Sequence, residues 1–151
     1  MLVKSFEYVR WLCVALGFYL AYQHLSVHSL YWLCLLVVLP LTGFTALESL
    51  LFPKAAALLK QREVGSAYQI QSALNNLATA SVTVIVLVFS LGTGAQLAVS
   101  LVAIVFFFFS SIKHALEYFL EGKGKIHLLR FLCSLALVAF TVPIWMQSWP
   151  H

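Results

Sequence analysis

Long apolar stretches separated by short polar turns constrain the fold of this chain more than any other feature. There are five of them, at about residues 7–24, 30–52, 66–91, 97–119 and 127–145. Each approaches the ~20 residues with which an α-helix crosses a hydrocarbon core about 30 Å thick. Backbone N–H and C=O groups find no water there, so each stretch must satisfy them within a helix. The sequence therefore predicts an all-α integral membrane helical bundle, a single transmembrane domain over residues 1–151, with about five transmembrane helices.

The composition agrees with residence in a lipid bilayer. Of the 151 residues, 62% are hydrophobic and 9% are charged, whereas about a quarter of the residues in soluble domains are charged. The formal net charge of +4 could indicate a nucleic-acid partner, but the basic residues cluster at the ends of the apolar stretches. Membrane insertion explains that placement, so we exclude nucleic-acid binding.

The basic residues also predict how the chain is oriented. They lie at the start of the first stretch, between the second and third, and around the turn between the fourth and fifth. These residues are Lys4, Arg10, Lys54, Lys60, Arg62, Lys113, Lys123, Lys125 and Arg130. Because cytoplasmic loops carry an excess of Lys and Arg, we predict a cytoplasmic N-terminus, a C-terminus outside and an odd number of spans.

Proline and capping residues mark the ends and irregularities of the predicted helices. The segment from Pro53 to Glu63 is rich in helix-forming residues but too short to span, so we predict a short interfacial helix on the cytoplasmic surface. Ser66 and Gln69 have the spacing of a capping box at the start of the third span. Pro40 removes a backbone donor inside the second stretch and predicts a kink there.

Polar side chains concentrate in the cytoplasmic half of the predicted bundle. The candidate ligand-binding residues are Glu48, Gln69, Asn76, His114 and Glu117. Two groups follow the spacing of one helix face, namely Ser72, Asn76, Thr79 and Thr83 in the third stretch and Ser110, His114 and Glu117 in the fourth. Residues at such spacing lie above one another along a helix. We predict that both stripes face the bundle centre and line a polar cavity.

Two explanations of these polar groups are open at the level of sequence. Ionisable groups within a membrane mark functional sites by default, since even lenient insertion scales assign about 2.5–3.5 kcal/mol to a charged side chain at a helix centre. A cavity that binds or passes a small polar ligand or a proton would explain them. Alternatively, Asn and Gln join helices through hydrogen bonds worth about 0.6–2 kcal/mol, and Lys113 neutralises Glu117 one turn away.

Other functions receive less support from the sequence. His114 and Glu117 could ligate a metal with Glu48 as third ligand, as in a membrane metalloenzyme, but their order reverses the Glu-x-x-His motif of di-metal bundles. A further alternative is that the chain is an accessory subunit, which packs into a larger complex or a homo-oligomer through the small-xxx-small pair Gly17 and Ala21 and through the Phe-rich fourth stretch, which contains Phe106 to Phe109. The chain has no Asp and no nucleophile-elbow or phosphate-binding motif. We therefore favour a non-enzymatic protein without a cofactor.

The stretch from Gly65 to Leu77 resembles the motif of a family of small, uncharacterised bacterial multi-spanning membrane proteins. That motif reads approximately Gly-Ser-Pro-Phe-Gln-x-Glu, followed five residues on by Asn-Leu, with an intramembrane His in a later span. The matching residues are Gly65, Ser66, Gln69, Asn76 and Leu77, with Tyr68 for Phe, Gln71 for Glu, Ala67 in place of Pro and His114 as the later His. The resemblance implies residence in a bacterial inner membrane and no particular chemistry.

Overall fold

A computed structural model of the chain describes residues 2–23, 28–59, 64–122 and 124–149. Within these ranges the backbone is helical apart from short turns, and there is no strand. We number the helices α1 (Leu2–Gln23), α2 (Ser29–Leu51), α3 (Pro53–Leu59), α4 (Ala67–Val88), α5 (Thr93–Phe119) and α6 (Lys125–Ser148). The predicted all-α fold is confirmed.

Four of these helices, α2, α4, α5 and α6, are long and apolar enough to cross a membrane. Their bounds fall within a few residues of the second to fifth predicted stretches. Helix α1 is 22 residues long, but Lys4, Glu7 and Arg10 lower the apolar character of its first half, and it is not one of the four. The structure thus supports a membrane protein with four apolar spans, whereas the predicted fifth lacks this support. The predicted end of that first stretch, His24, lies outside the described residues.

A short helix begins at Pro53, where the sequence predicts one. It is seven residues long, which is less than the predicted segment, but residues 60–63 lie outside the described part of the chain. Ala56 and Ala57 are buried, while Lys54 and Leu58 are exposed. The predicted cap at Ser66 is confirmed, since its hydroxyl accepts a hydrogen bond from the backbone N–H of Gln69 at the start of α4. The return bond differs from that of a capping box, because the Gln69 side chain accepts from the backbone N–H of Gly65, one residue before Ser66.

The irregularity predicted at Pro40 takes the form of a wider helical turn. Within α2, Leu33–Val38 is π-helical, and the α-helix resumes at Leu39. Pro40 lacks the N–H that would bond the carbonyl of Leu36 in a regular α-helix. The Leu36 carbonyl, which lacks its usual donor, therefore lies within the π-helical segment Leu33–Val38. Prolines and π-turns are both common causes of helix irregularity.

The hydrophobic core lies where α1, α2, α5 and α6 meet. Its buried side chains are Val14, Ala21, Leu30, Leu33, Val37, Leu41, Leu97, Leu137 and Ile144. Helix α2 packs along α4, and α5 packs along α6. The α5–α6 pair forms a hairpin whose turn contains Gly122 at φ +65°, a left-handed conformation that favours glycine. Toward the other end of this hairpin, the Trp145 indole donates a hydrogen bond to the Ser100 hydroxyl.

The close contact between α1 and α2 depends on Gly17. A Cβ atom built at Gly17 would lie 2.7 Å from Val37 Cγ2 and 2.9 Å from Leu36 Cβ. Ala21, one turn further along α1, is fully buried. The small-xxx-small pair is therefore used inside the chain, and it does not form a surface for another subunit.

We expect Gly17→Ala to destabilise the protein. The added methyl group overlaps α2, and overpacking of this kind costs about 1–3 kcal/mol, which exceeds the ~1 kcal/mol that Ala gains over Gly in helix propensity. The matched control is Gly43→Ala, whose Cβ meets only Ala80 Cβ at 3.9 Å. Unfolding temperatures in detergent should fall for the first variant and stay level or rise for the second. Equal effects would show that Gly17 does not set the α1–α2 contact.

Candidate functional site

A small cavity of about 150 Å³ lies between α1, α2, α4, α5 and α6. We call it the polar cavity. Its lining residues are Glu7, Arg10, Trp11, Leu41, Thr45, Ser72, Asn76, Phe106, Phe107, Ser110, Ser111, His114, Arg130 and Leu137. Asn76 and His114 are predicted site residues that reach this lining, whereas Glu48, Gln69 and Glu117 are not part of it.

Arg10 and Glu48 form an ion pair beside the cavity. The Glu48 side chain is fully buried, and its Oε2 lies 3.4 Å from Nη1 of Arg10. The same Nη1 donates a hydrogen bond to the Thr45 hydroxyl at 3.1 Å, and Nη2 lies 3.6 Å from Oε1 of Glu7. The guanidinium therefore has two carboxylates and a hydroxyl around it. Glu48 is not part of the cavity lining, but it pairs with Arg10, which is.

Gln69 has a structural role in the loop that precedes α4. Its Oε1 accepts a hydrogen bond from the backbone N–H of Gly65 at 2.9 Å, and its Nε2 donates to the carbonyl of Pro53 at 3.0 Å. These bonds connect the start of α3 to the start of α4. The side chain thus completes a helix cap and an interhelical tie.

Asn76 is the predicted site residue with the most unusual surroundings. It is 1% exposed, and its Nδ2 donates to the carbonyl of Ser72, one turn back on its own helix, at 2.8 Å. Its Oδ1 is buried and has no hydrogen-bond partner among the described residues. The Asn76 amide therefore makes no interhelical hydrogen bond in the described part of the chain. The adjacent amide, Asn75, is exposed.

Both predicted stripes lie on sides of their helices that turn inward. In α4, Asn76 and Thr83 are buried and Ser72 and Thr79 are half-buried; in α5, His114 is buried and Ser110 and Glu117 are half-buried. In part of the α4 stripe, however, the side chains form hydrogen bonds within α4 and not to another helix. Thr83 donates its hydroxyl to the carbonyl of Thr79, and Thr79 donates to Asn75, each within α4.

Three side chains converge at the end of the α5–α6 hairpin, and we call them the His-Glu cluster: His114, Glu117 and His127. Nδ1 of His114 lies 3.0 Å from Oε2 of Glu117 and 3.1 Å from Nδ1 of His127. Nδ1 of His127 lies 2.9 Å from the same Glu117 oxygen. Both histidines are buried, and the Glu117 side chain is 12% exposed. Lys113 contacts the other carboxylate oxygen, Oε1, at 3.9 Å.

Sequence reasoning missed His127 and Arg10 as site residues. A signal for His127 was present: it begins α6 just after the turn that follows Glu117, so the hairpin brings both to the same depth. The acidic residue expected as a third metal ligand, Glu48, pairs with Arg10 instead. The sequence marks Arg10 only as a topology signal, because no pattern within α1 shows that it faces a carboxylate on α2.

Comparison with known proteins adds no family to this description. No protein-family model, no curated protein and no solved structure matches the chain. The site must therefore be interpreted from its own geometry.

We expect Arg10→Met to destabilise the protein strongly. It removes a cation from beside a fully buried carboxylate, and breaking a buried ion pair from one side costs about 3–5 kcal/mol. The double variant Arg10→Met/Glu48→Met removes both charges and should recover most of that loss. Free energies of unfolding, measured by denaturant titration in detergent micelles, test this.

Glu7→Gln is the control for this pair. The Glu7 side chain is 40% exposed, and exposed ion pairs are worth at most about 1 kcal/mol, so the substitution should change stability little. If the double variant is no more stable than Arg10→Met alone, the Arg10–Glu48 contact does not provide the charge balance.

Proposed function

We propose that this chain is a non-enzymatic, five-span protein of a bacterial inner membrane that binds a small polar ligand in the polar cavity. The observation that carries the proposal is the buried Asn76 oxygen, which has no hydrogen-bond partner among the described residues and belongs to a residue of the cavity wall.

The proposal of five spans rests on the charges of α1. A helix of 22 residues is about 33 Å long at ~1.5 Å per residue, enough to cross the hydrocarbon core. Its low hydropathy comes partly from Glu7 and Arg10, and Arg10 is buried against Glu48. Since groups that pair inside the bundle do not meet lipid, α1 is a better span than its composition alone suggests. Helix α3 then lies at the cytoplasmic surface with Lys54 facing headgroups.

Five spans place the two termini on opposite sides of the membrane. We expect green fluorescent protein fused before Met1 to fluoresce, because it folds in the cytoplasm, and the same protein fused after His151 to stay dark. Alkaline phosphatase fused after His151 should be active. If both termini give the same response, the number of spans is even and α1 does not cross.

The hydrogen bonding of Asn76 favours a ligand site over a role in joining helices. A buried acceptor left without a partner costs about 1–3 kcal/mol, and an amide that served as glue would bond a neighbouring helix. Among the described residues, the amide donates only within α4. A ligand that donates a hydrogen bond to Asn76 Oδ1 would remove the cost, and evolution retains such costs where function needs them.

The cavity's size and lining restrict that ligand. A volume of about 150 Å³ is below the ~300–1,000 Å³ of drug-sized pockets, so the ligand is a small solute. Arg10 and Arg130 offer donors, Asn76 offers an acceptor, and Glu7 offsets part of the positive charge. His114 adds an imidazole to the same wall.

The adjacent amides of α4 provide a matched test. In native mass spectrometry of protein purified from its own membranes in mild detergent, we expect a small-solute adduct in wild type and in Asn75→Leu but not in Asn76→Leu. Because Asn76→Leu also removes a buried acceptor without a partner, its unfolding temperature should stay level or rise, by about 2–4 °C for each kcal/mol that is recovered in a chain this size.

The opposite pattern would contradict the proposal. If Asn76→Leu loses folded yield and unfolding temperature while its mass spectrum equals that of wild type, Asn76 is a packing residue and the cavity holds no specific ligand.

A further inference from the structure

We propose that the His-Glu cluster is a binding site for a divalent first-row transition metal ion, with zinc(II) as the ion that best fits its donors. The site uses His114, Glu117 and His127, and it does not depend on the ligand proposed for the polar cavity. Three features of the cluster support this site: the mutual distances of its three donor atoms, their chemistry and the arrangement of the carboxylate's second oxygen.

Hydrogen bonds to Glu117 account for two of the three contacts of the cluster. Each imidazole nitrogen has a single in-plane position, which carries either a proton or a lone pair, so each of the two Nδ1 atoms makes one good hydrogen bond. The cluster contains three contacts of 2.9–3.1 Å between these two nitrogens and Glu117 Oε2. When both Nδ1 atoms donate to the Glu117 carboxylate, the third contact, from Nδ1 to Nδ1 at 3.1 Å, places two donor nitrogens side by side without a hydrogen bond between them.

A cation bound by all three atoms accounts for the third contact as well. Zinc binds imidazole nitrogen at ~2.0–2.1 Å and carboxylate oxygen at ~2.0–2.2 Å. Ligand atoms at such bond lengths are separated by about 2.9 Å at right angles and about 3.3 Å at the tetrahedral angle. The observed separations of 2.9–3.1 Å fall within or just beside this range, so the side chains need to move only by a few tenths of an ångström.

The donor set also selects the class of ion. Two imidazoles and one carboxylate suit zinc, iron(II), cobalt(II) and nickel(II), whereas magnesium and calcium prefer oxygen ligands. Three protein ligands leave at least one coordination position for water or another molecule, as in open zinc sites. His114 also lines the polar cavity, so the cluster borders the space in which such a molecule can lie.

The carboxylate is oriented for this role. Oε2 of Glu117 faces both histidines, while Oε1 is the oxygen that contacts Lys113. The Lys113 side chain is mostly exposed, so this cation holds the carboxylate from outside without occupying the space between the three donors.

His127 limits how tightly the ion is held. Its Nε2 is buried and has no hydrogen-bond partner among the described residues, whereas metal-binding histidines usually donate this N–H to a carbonyl or carboxylate. Loss of such an outer partner typically lowers metal affinity by about 10–100-fold. We therefore expect a site of moderate affinity that chelators empty readily.

Zinc titration of the full-length, chelator-treated protein in detergent tests the site. Isothermal calorimetry should show one zinc ion per wild-type chain and no comparable binding of magnesium. His127→Gln and Glu117→Gln should each lower zinc affinity by more than 100-fold, the upper effect of losing only an outer partner. The matched control is His28→Gln, which removes an exposed histidine at the opposite end of the bundle and should bind as wild type does.

Two further measurements keep the test decisive if a variant fails to fold. Wild-type protein alone should gain thermal stability as zinc is added, following the logarithmic dependence on free ion expected for a ligand of the folded state. Cobalt(II) should produce a visible absorption band, which should disappear when zinc displaces the cobalt ion.

The outcomes separate this proposal from that for the polar cavity. Asn76→Leu should bind zinc with wild-type stoichiometry, whether or not it loses the solute adduct. Wild-type protein that binds well under one zinc per chain, or His127→Gln that binds as tightly as His28→Gln, would overturn the metal site.

Discussion

Neutralisation of charge inside an apolar bundle is the constraint on which one end of this molecule depends. An ion taken out of water costs several kcal/mol unless partners surround it, and α1 carries Arg10 to a position that is almost entirely buried. The cation is tolerated there because α2 presents Glu48 and Thr45 to it. Electrostatics thus joins α1 to α2 near Arg10, and the close approach at Gly17 joins them further along.

Polar side chains elsewhere in the bundle are satisfied in a different way. Hydroxyls away from the cavity bond mainly to their own helices: Ser81 donates to the carbonyl of Leu77, and Thr141 donates to Leu137. Such bonds satisfy the side chain without specifying a neighbour. Asn76 also bonds backward along its helix but keeps a second polar atom, Oδ1, that this arrangement leaves unsatisfied. It is this remaining acceptor that separates the polar cavity from the ordinary polar content of the helices.

The sequence predicts local features of this fold well, because local physics determines them. The length of the apolar stretches gives the helices, and the spacing of Ser66 and Gln69 gives a cap that the structure confirms. The sequence also gives the position of each residue along its helix, so it was predictable that His114 and Glu117 lie one turn apart on the same side of α5. What a single chain does not reveal is the rotation of one helix about its axis relative to the next. That rotation decides that Arg10 meets Glu48 and that His127 meets Glu117, and it leaves Gln69 in a cap rather than at the cavity.

The His-Glu cluster is local in the chain, and this has a consequence for how the protein assembles. Its histidines are 13 positions apart and lie on consecutive antiparallel helices, so bringing them together costs little loop-closure entropy. The polar cavity, by contrast, needs side chains from five helices. In a chain that enters the bilayer one helical hairpin after another, the cluster can reach its final geometry as soon as α5 and α6 pair. A metal ion captured at that moment would hold α5 against α6 before this pair packs against the helices that precede it in the chain.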